Sequence, residues 1–160
     1  MTPRAADWPR SRSSILVALL AALVSSSPGK ALTRIENDHG GSLGRYLLRF
    51  AALRDSGERV VIDGTCSSAC TLVAALIPKE RVCVTERAML GFHAAWVAQG
   101  RRAAVVSPEG TQALYEMYPP QIQKWIARHG GLGPQMIVLK GRELARFYRP
   151  CGPDSGMASQ

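Results

Sequence analysis

Hydrophobic positions along the chain switch between two periods, and the switching predicts the order of elements. Thr33 to Asp38 reads as a short strand, and Arg59-Val60-Val61-Ile62-Asp63 as a β-branched one. Between them Leu43, Tyr46, Leu47, Phe50 and Leu53 fall at i, i+3, i+4, i+7 and i+10, one face of an amphipathic helix. Ser42 stands where a cap is expected and Asp55-Ser56-Gly57 where the helix should stop. A helix between two strands makes them parallel, with a right-handed crossover expected. Gly64 to Ser68 then predicts a tight turn into a buried helix, Ala69 to Ile77, which ends before Pro78. Arg81 to Thr85 and Ala88 to His93 read as two further strands, joined by a turn at Glu86-Arg87.

Ala94 to Gly110 is polar and rich in Gly and Arg, and predicts a loop or flap. Ser107 and Pro108 open a helix that carries Leu114, Tyr115 and Met117 to the break at Pro119-Pro120. A second helix runs from Gln121 to His129, with Gly130-Gly131 as its stop and His129 read as a cap rather than a base. Met136 to Leu139 is a short strand or helix end, and Arg142 to Tyr148 a final helix. Repeated alternation of strand and helix makes this an α/β domain.

At 160 residues the chain is one domain's worth, expected over residues 32–151, with a flexible tail over 152–160. Residues 1–31 read as an export signal peptide, because Arg4, Arg10 and Arg12 precede the uncharged apolar run Ile15 to Val24 and a stretch of small residues. That run is short for a bilayer span, so contact with a membrane is expected only if the segment stays uncleaved. Cleavage is expected after Ala31, or within Ser25 to Ser27; removal of residues 1–31 takes away four basic residues and one acid and lowers the net charge from +8 to +5. The remaining basic residues are dispersed instead of forming a stripe, which argues against nucleic acid as a partner. The expected location is periplasmic or secreted.

Export changes the reading of the four cysteines, Cys66, Cys70, Cys83 and Cys151. An even number outside the cytoplasm predicts disulfides, and four allow three connectivities. A bridge from Cys66 or Cys70 would stiffen the turn that they flank, and one from Cys70 or Cys83 to Cys151 would pin the C-terminal tail. Schemes that tie down Cys151 are preferred, since its glycine- and proline-rich surroundings are otherwise hard to order. Cys-x3-Cys without a nearby His pair is a poor zinc pattern, so no metal or other cofactor is expected.

Candidate chemistry centres on Ser68 and His93. A serine on a strand-to-helix turn lies near backbone N–H groups that have no partner within the helix and could hold an oxyanion. It becomes a nucleophile only when a base takes its proton, and His93, at the end of a strand, could return to it in space. Helix capping by the serines and packing of the histidine are the plain alternatives. Trp96, just past His93, reads either as a pocket wall or as a core or interface residue.

His39-Gly40-Gly41-Ser42-Leu43, Gly64-Thr65-Cys66-Ser67-Ser68-Ala69 and Leu90-Gly91-Phe92-His93 occur in that order, with Ser68 and His93 separated by 25 positions. From Arg34 to Tyr148 this pattern resembles the proteolytic subunit of the Clp protease, within the Clp-protease/crotonase superfamily. The resemblance implies a repeated β-β-α spiral around a mainly parallel sheet, here truncated at the N-terminus. It implies Ser68 as nucleophile, His93 as general base, and the N–H groups of Gly41 and Ala69 as the oxyanion hole. It further implies a peptide or protein substrate and a possible homo-oligomer, although an ATPase partner does not suit an exported chain.

The family's catalytic aspartate has no counterpart. Met136 or a neighbour stands in its place, and none of Glu109, Glu116, Glu143 and Asp154 has the family's position. Glu143 is nearest and suits a surface ion pair; Asp63, beside the serine turn, would usually be solvated. Three functions remain open: a serine hydrolase of peptidase type whose third group is a backbone carbonyl, a water or a relocated acid; a weak or inactive relative acting as a binding or assembly module; and a crotonase-like enzyme acting on an acyl thioester.

Overall fold

Strand β1 (Leu32–Asp38), helix α1 (Leu43–Ser56) and strand β2 (Arg59–Ser67) form the first unit of the fold, and β1 and β2 are parallel as their connection requires. The computed structural model describes residues 31–100 and 102–152. The expected export segment, apart from Ala31, and the tail beyond Gly152 lie outside the described residues. No helix among the described residues is long and apolar enough to cross a membrane. Helix α1 buries Phe50 fully and rests Leu43, Tyr46, Leu47 and Leu53 partly against the core. Its end is held by Gly57 and by the Arg81 guanidinium, which donates to the carbonyls of Leu53 and Arg54.

After β2 come a 3-10 helix (Ser68–Leu72), a single α-helical turn α2 (Val73–Leu76), and strands β3 (Val82–Val84) and β4 (Met89–Phe92). A hairpin of β5 (Trp96–Gln99) and β6 (Arg102–Val106) follows, then helices α3 (Pro108–Met117) and α4 (Pro120–Arg128). The chain closes with β7 (Ile137–Lys140), the helical turn α5 (Gly141–Leu144) and β8 (Arg149–Pro150).

β2 is the spine of a curled, mixed six-stranded sheet. β1 lines one edge of it along its length, so β3 and β4 must share the other, β3 along Val60–Ile62 and β4 along Thr65–Ser67. The sheet forks there. A bulge marks the fork: between Ile35 and Asn37 of β1, β2 spends one residue more, and a side chain at Gly64 would meet the Glu36 carbonyl oxygen at 2.0 Å. Asp63 fills the gap between the diverging strands. Its carboxylate accepts from Thr85 Oγ1 at 2.7 Å, from Arg87 Nε and Nη2 at 3.1 and 2.7 Å, and from Arg34. Far from being solvated, it is 5% exposed. The Arg87 hydrogen bonds, aided by Thr85 and Arg34 against the opposing pull of burial, hold its pKa down at about 2.

Several expected elements differ. The strand expected to stop at Asp63 continues to Ser67, because the bulge preserves its pairing past Gly64. The buried helix Ala69 to Ile77 is a 3-10 segment and one α turn, its start tied back to the strand by the Cys66–Cys70 bridge. Ala94 to Gly110 is no loop: Trp96 pairs with Val106 and Gln99 with Arg102 across a two-residue connection. Of Met136 to Leu139, the residues from Ile137 on belong to strand β7, antiparallel to β4, while Arg142 to Tyr148 reduces to α5 and turns before β8 joins β3.

Both bridges are in place, Cys66–Cys70 with Cα atoms 5.3 Å apart and Cys83–Cys151 at 4.9 Å. Cys151 is tied down as preferred, and its N–H also donates to the Val84 carbonyl at 3.0 Å. Disulfides of this kind suit an environment outside the cytosol.

Candidate functional site

Ser68 begins the 3-10 segment at the end of β2 with φ at 58°, the sole non-glycine residue of positive φ among the described residues. A β-carbon in that region crowds the backbone and costs about 1–3 kcal/mol, so its neighbours must impose it. Three of them do. The Cys66–Cys70 bridge spans the turn. Thr71, 1% exposed, donates its hydroxyl to the Ser68 carbonyl at 2.6 Å and lies 2.7 Å from the Tyr118 hydroxyl. The carbonyl can only accept, so Thr71 spends its one proton there and Tyr118 must donate to Thr71. Burial pushes the Tyr118 phenol above its ordinary pKa, which keeps that donor protonated.

The third support is the β1–α1 connection. A β-carbon on Gly40, whose φ is 81°, would stand 2.6 Å from the Ser67 carbonyl oxygen and 2.7 Å from both the Ala69 nitrogen and the Ser68 β-carbon. Only glycine lets the two segments approach so closely. Asp38 sets the connection by accepting from the Gly40 N–H at 3.0 Å, from the Tyr46 hydroxyl and from Arg49. Although burial raises its pKa, those three donors hold it below the ordinary carboxylate value. Ser42 occupies the cap position of α1, yet its side chain makes no cap hydrogen bond.

Gly41, Ser68, Ala69 and His93 line one cavity of about 510 Å³, together with Ala94 to Trp96 and Leu114. All four residues singled out from the sequence therefore meet around one space. No hydrogen bond joins Ser68 Oγ to His93 among the described residues; such bonds are often long in a free enzyme and close on substrate. His93 Nδ1 lies 2.7 Å from the Ala94 carbonyl oxygen and 3.2 Å from Trp96 Nε1. Residues 94–95 are themselves fixed: Ala94 N–H donates to Gly133 O at 2.7 Å, Ala95 N–H to Thr111 Oγ1 at 3.0 Å, and Ser107 N–H to Ala95 O at 2.8 Å.

Of the acids considered as partners of the histidine, Asp154 lies outside the described residues and the other four are engaged elsewhere. Asp63 is held in the fork of the sheet, and Glu143 accepts from the Trp125 indole at 3.4 Å. Glu116 accepts from Gln112 and Glu109 lies 3.4 Å from the Ser107 hydroxyl. His129 stacks on Trp125 at the end of α4, as a cap would. No cluster of potential metal ligands occurs among the described residues.

Thr71, Tyr118 and Asp38 are parts of the site that were not expected from the sequence; a backbone carbonyl was among the expected third groups, but not which one. Asp38-x-Gly40 carried a signal, since an Asp two residues before a glycine is a common turn former. A backbone carbonyl carries none. The chain matches no protein-family model and no curated protein.

Proposed function

We propose that the protein is an exported serine hydrolase of peptidase type, built on a fold of the Clp-protease/crotonase kind. The positive φ of Ser68, at a strand-to-helix turn on a cavity that His93 also lines, carries this reading. Strain retained at one side chain is most readily explained by a task for that side chain. Ser68 Oγ attacks the carbonyl carbon of the substrate while His93 Nε2 takes its proton, and the N–H groups of Gly41 and Ala69 receive the oxyanion. Collapse of the tetrahedral adduct breaks the C–N bond, the leaving amine takes the proton from Nε2, and water releases the acyl group by the same steps. With Nδ1–H donated to the Ala94 carbonyl, the ring is held in the tautomer that leaves Nε2 free. A carbonyl orients the imidazolium but lends it no negative charge, so turnover should be slow; losing the acid of a triad costs about 10⁴.

A fluorophosphonate probe tests this. Ser68 is expected to be labelled, with labelling abolished by Ser68→Ala and strongly reduced by His93→Ala. A folded preparation that takes no label refutes the hydrolase. The open Ser68–His93 pair and the missing acid would then favour the second reading, a binding or assembly module that has kept the fold.

A further inference from the structure

His93 Nδ1 faces two groups that make opposite demands on it. The Ala94 carbonyl, at 2.7 Å, can only accept and so requires a proton on Nδ1. The Trp96 indole N–H, at 3.2 Å, can only donate and so requires the lone pair. One ring nitrogen cannot satisfy both. When Ala94 holds Nδ1, the proton is there and Nε2 is bare; when Trp96 holds it, the proton sits on Nε2, which then cannot receive another.

We propose that Trp96 is a tautomer-setting residue that restrains His93, its indole N–H competing with the Ala94 carbonyl for Nδ1. The inference rests on the hydrolase reading for its consequence, though not for its chemistry. The two competitors are held very differently. Ala94 is 1% exposed and pinned through Gly133, whereas Trp96 is 44% exposed on a hairpin whose strand β5 is exposed throughout. An indole so placed can turn to water at little cost, releasing the ring to the fixed carbonyl. Imidazolium, with N–H at both nitrogens, has no use for the indole donor, so the restraint must also lift during turnover.

Trp96→Phe keeps a ring on the hairpin and removes only the donor. A hydrogen bond of this kind is worth about 1 kcal/mol net, which is about a fivefold change in the ratio of the two tautomers. The ¹⁵N spectrum of the imidazole, with His93 assigned by its loss in His93→Asn, reports which nitrogen carries the proton. In Trp96→Phe the Nδ1–H form should rise and fluorophosphonate labelling of Ser68 should accelerate in proportion to that rise, by up to about fivefold. A wild-type His93 already wholly in the Nδ1–H form, or one whose tautomer Trp96→Phe leaves unchanged, overturns the proposal whatever happens to the labelling rate. If neither protein is labelled while the tautomer shifts as expected, the restraint stands and the hydrolase reading fails.

Discussion

Replacing Ser68 by glycine and by alanine separates the backbone of the site from its chemistry. Neither variant has a nucleophile, so both should lose labelling, and since Ser68 Oγ joins no hydrogen bond among the described residues, neither loses one there. They differ in the β-carbon. At φ 58° that carbon costs about 1–2 kcal/mol, which Ser68→Ala keeps and Ser68→Gly removes. Glycine has its own cost, about 0.5–1 kcal/mol of extra freedom in the unfolded chain. That cost is reduced here, because position 68 lies inside the small loop closed by Cys66–Cys70 even when the protein is unfolded. The glycine variant should therefore be more stable than the alanine variant by about 1 kcal/mol, against the usual order in a helix, where glycine is worse by about as much. Urea titration of the oxidised proteins reads the difference: with a slope of about 2 kcal/mol/M, the midpoint of Ser68→Gly should lie about 0.5 M above that of Ser68→Ala. A glycine variant less stable than the alanine one would refute the claim that the turn is strained, and with it the main support for a nucleophile there.

Three further perturbations test the surroundings. Thr71→Val leaves the buried Tyr118 hydroxyl without its acceptor and frees the Ser68 carbonyl, and should cost about 1–3 kcal/mol, while Thr71→Val with Tyr118→Phe should cost less than Thr71→Val alone; equal costs in urea titration would show that the pair is not coupled. Asp63 has a folded pKa depressed to about 2, so its stabilisation is full above the ordinary carboxylate value and is lost as pH falls from about 4 to about 2. Thermal unfolding across that window should show a loss, about 1–2 kcal/mol after allowance for the exposure of Arg87, that Asp63→Asn lacks; identical profiles would remove Asp63 from the fork. Loop-closure entropy assigns about 4 kcal/mol to Cys83–Cys151, with its separation of 68, and about 2 kcal/mol to Cys66–Cys70, with its separation of 4. Serine pairs at each bridge should rank in that order in urea, and the reverse ranking would contradict it.

What could be read from the chain was local. The β1–α1–β2 unit follows from one periodic helix between two strands, and Ser107 does cap α3, accepting from the Gly110 N–H at 3.0 Å. Ser68 and His93 could be paired from the residues themselves, whereas Gly41 and Ala69 enter only through the family resemblance that the order of short motifs carries; all four line one cavity. What escaped reading depends on pairings remote in sequence. Asp63 looks like a strand-end acid until β3 and β4 are known to part beside it, and its partners Arg34, Thr85 and Arg87 come from three different segments. The hairpin was hidden because the apolar residues of Trp96–Gln99 and Arg102–Val106 run together without alternating with polar ones. Neither strand buries a face that would have required such alternation.

The same division explains how the two halves of the candidate site differ. On the serine side the bridge, the Thr71–Tyr118 pair and the packed Gly40 all brace the turn in its observed conformation, so strain is borne by its neighbours. On the histidine side the backbone of 94–95 is equally fixed, but the ring it carries has two incompatible partners, one buried in the fold and one on an exposed hairpin. A two-stranded hairpin outside the main sheet is marginal by itself. Adjustment of the site should therefore concentrate at Trp96 and the His93 ring, with the serine turn unchanged. Accordingly, restraint of this site is better sought in the protonation of one nitrogen than in movement of the nucleophile.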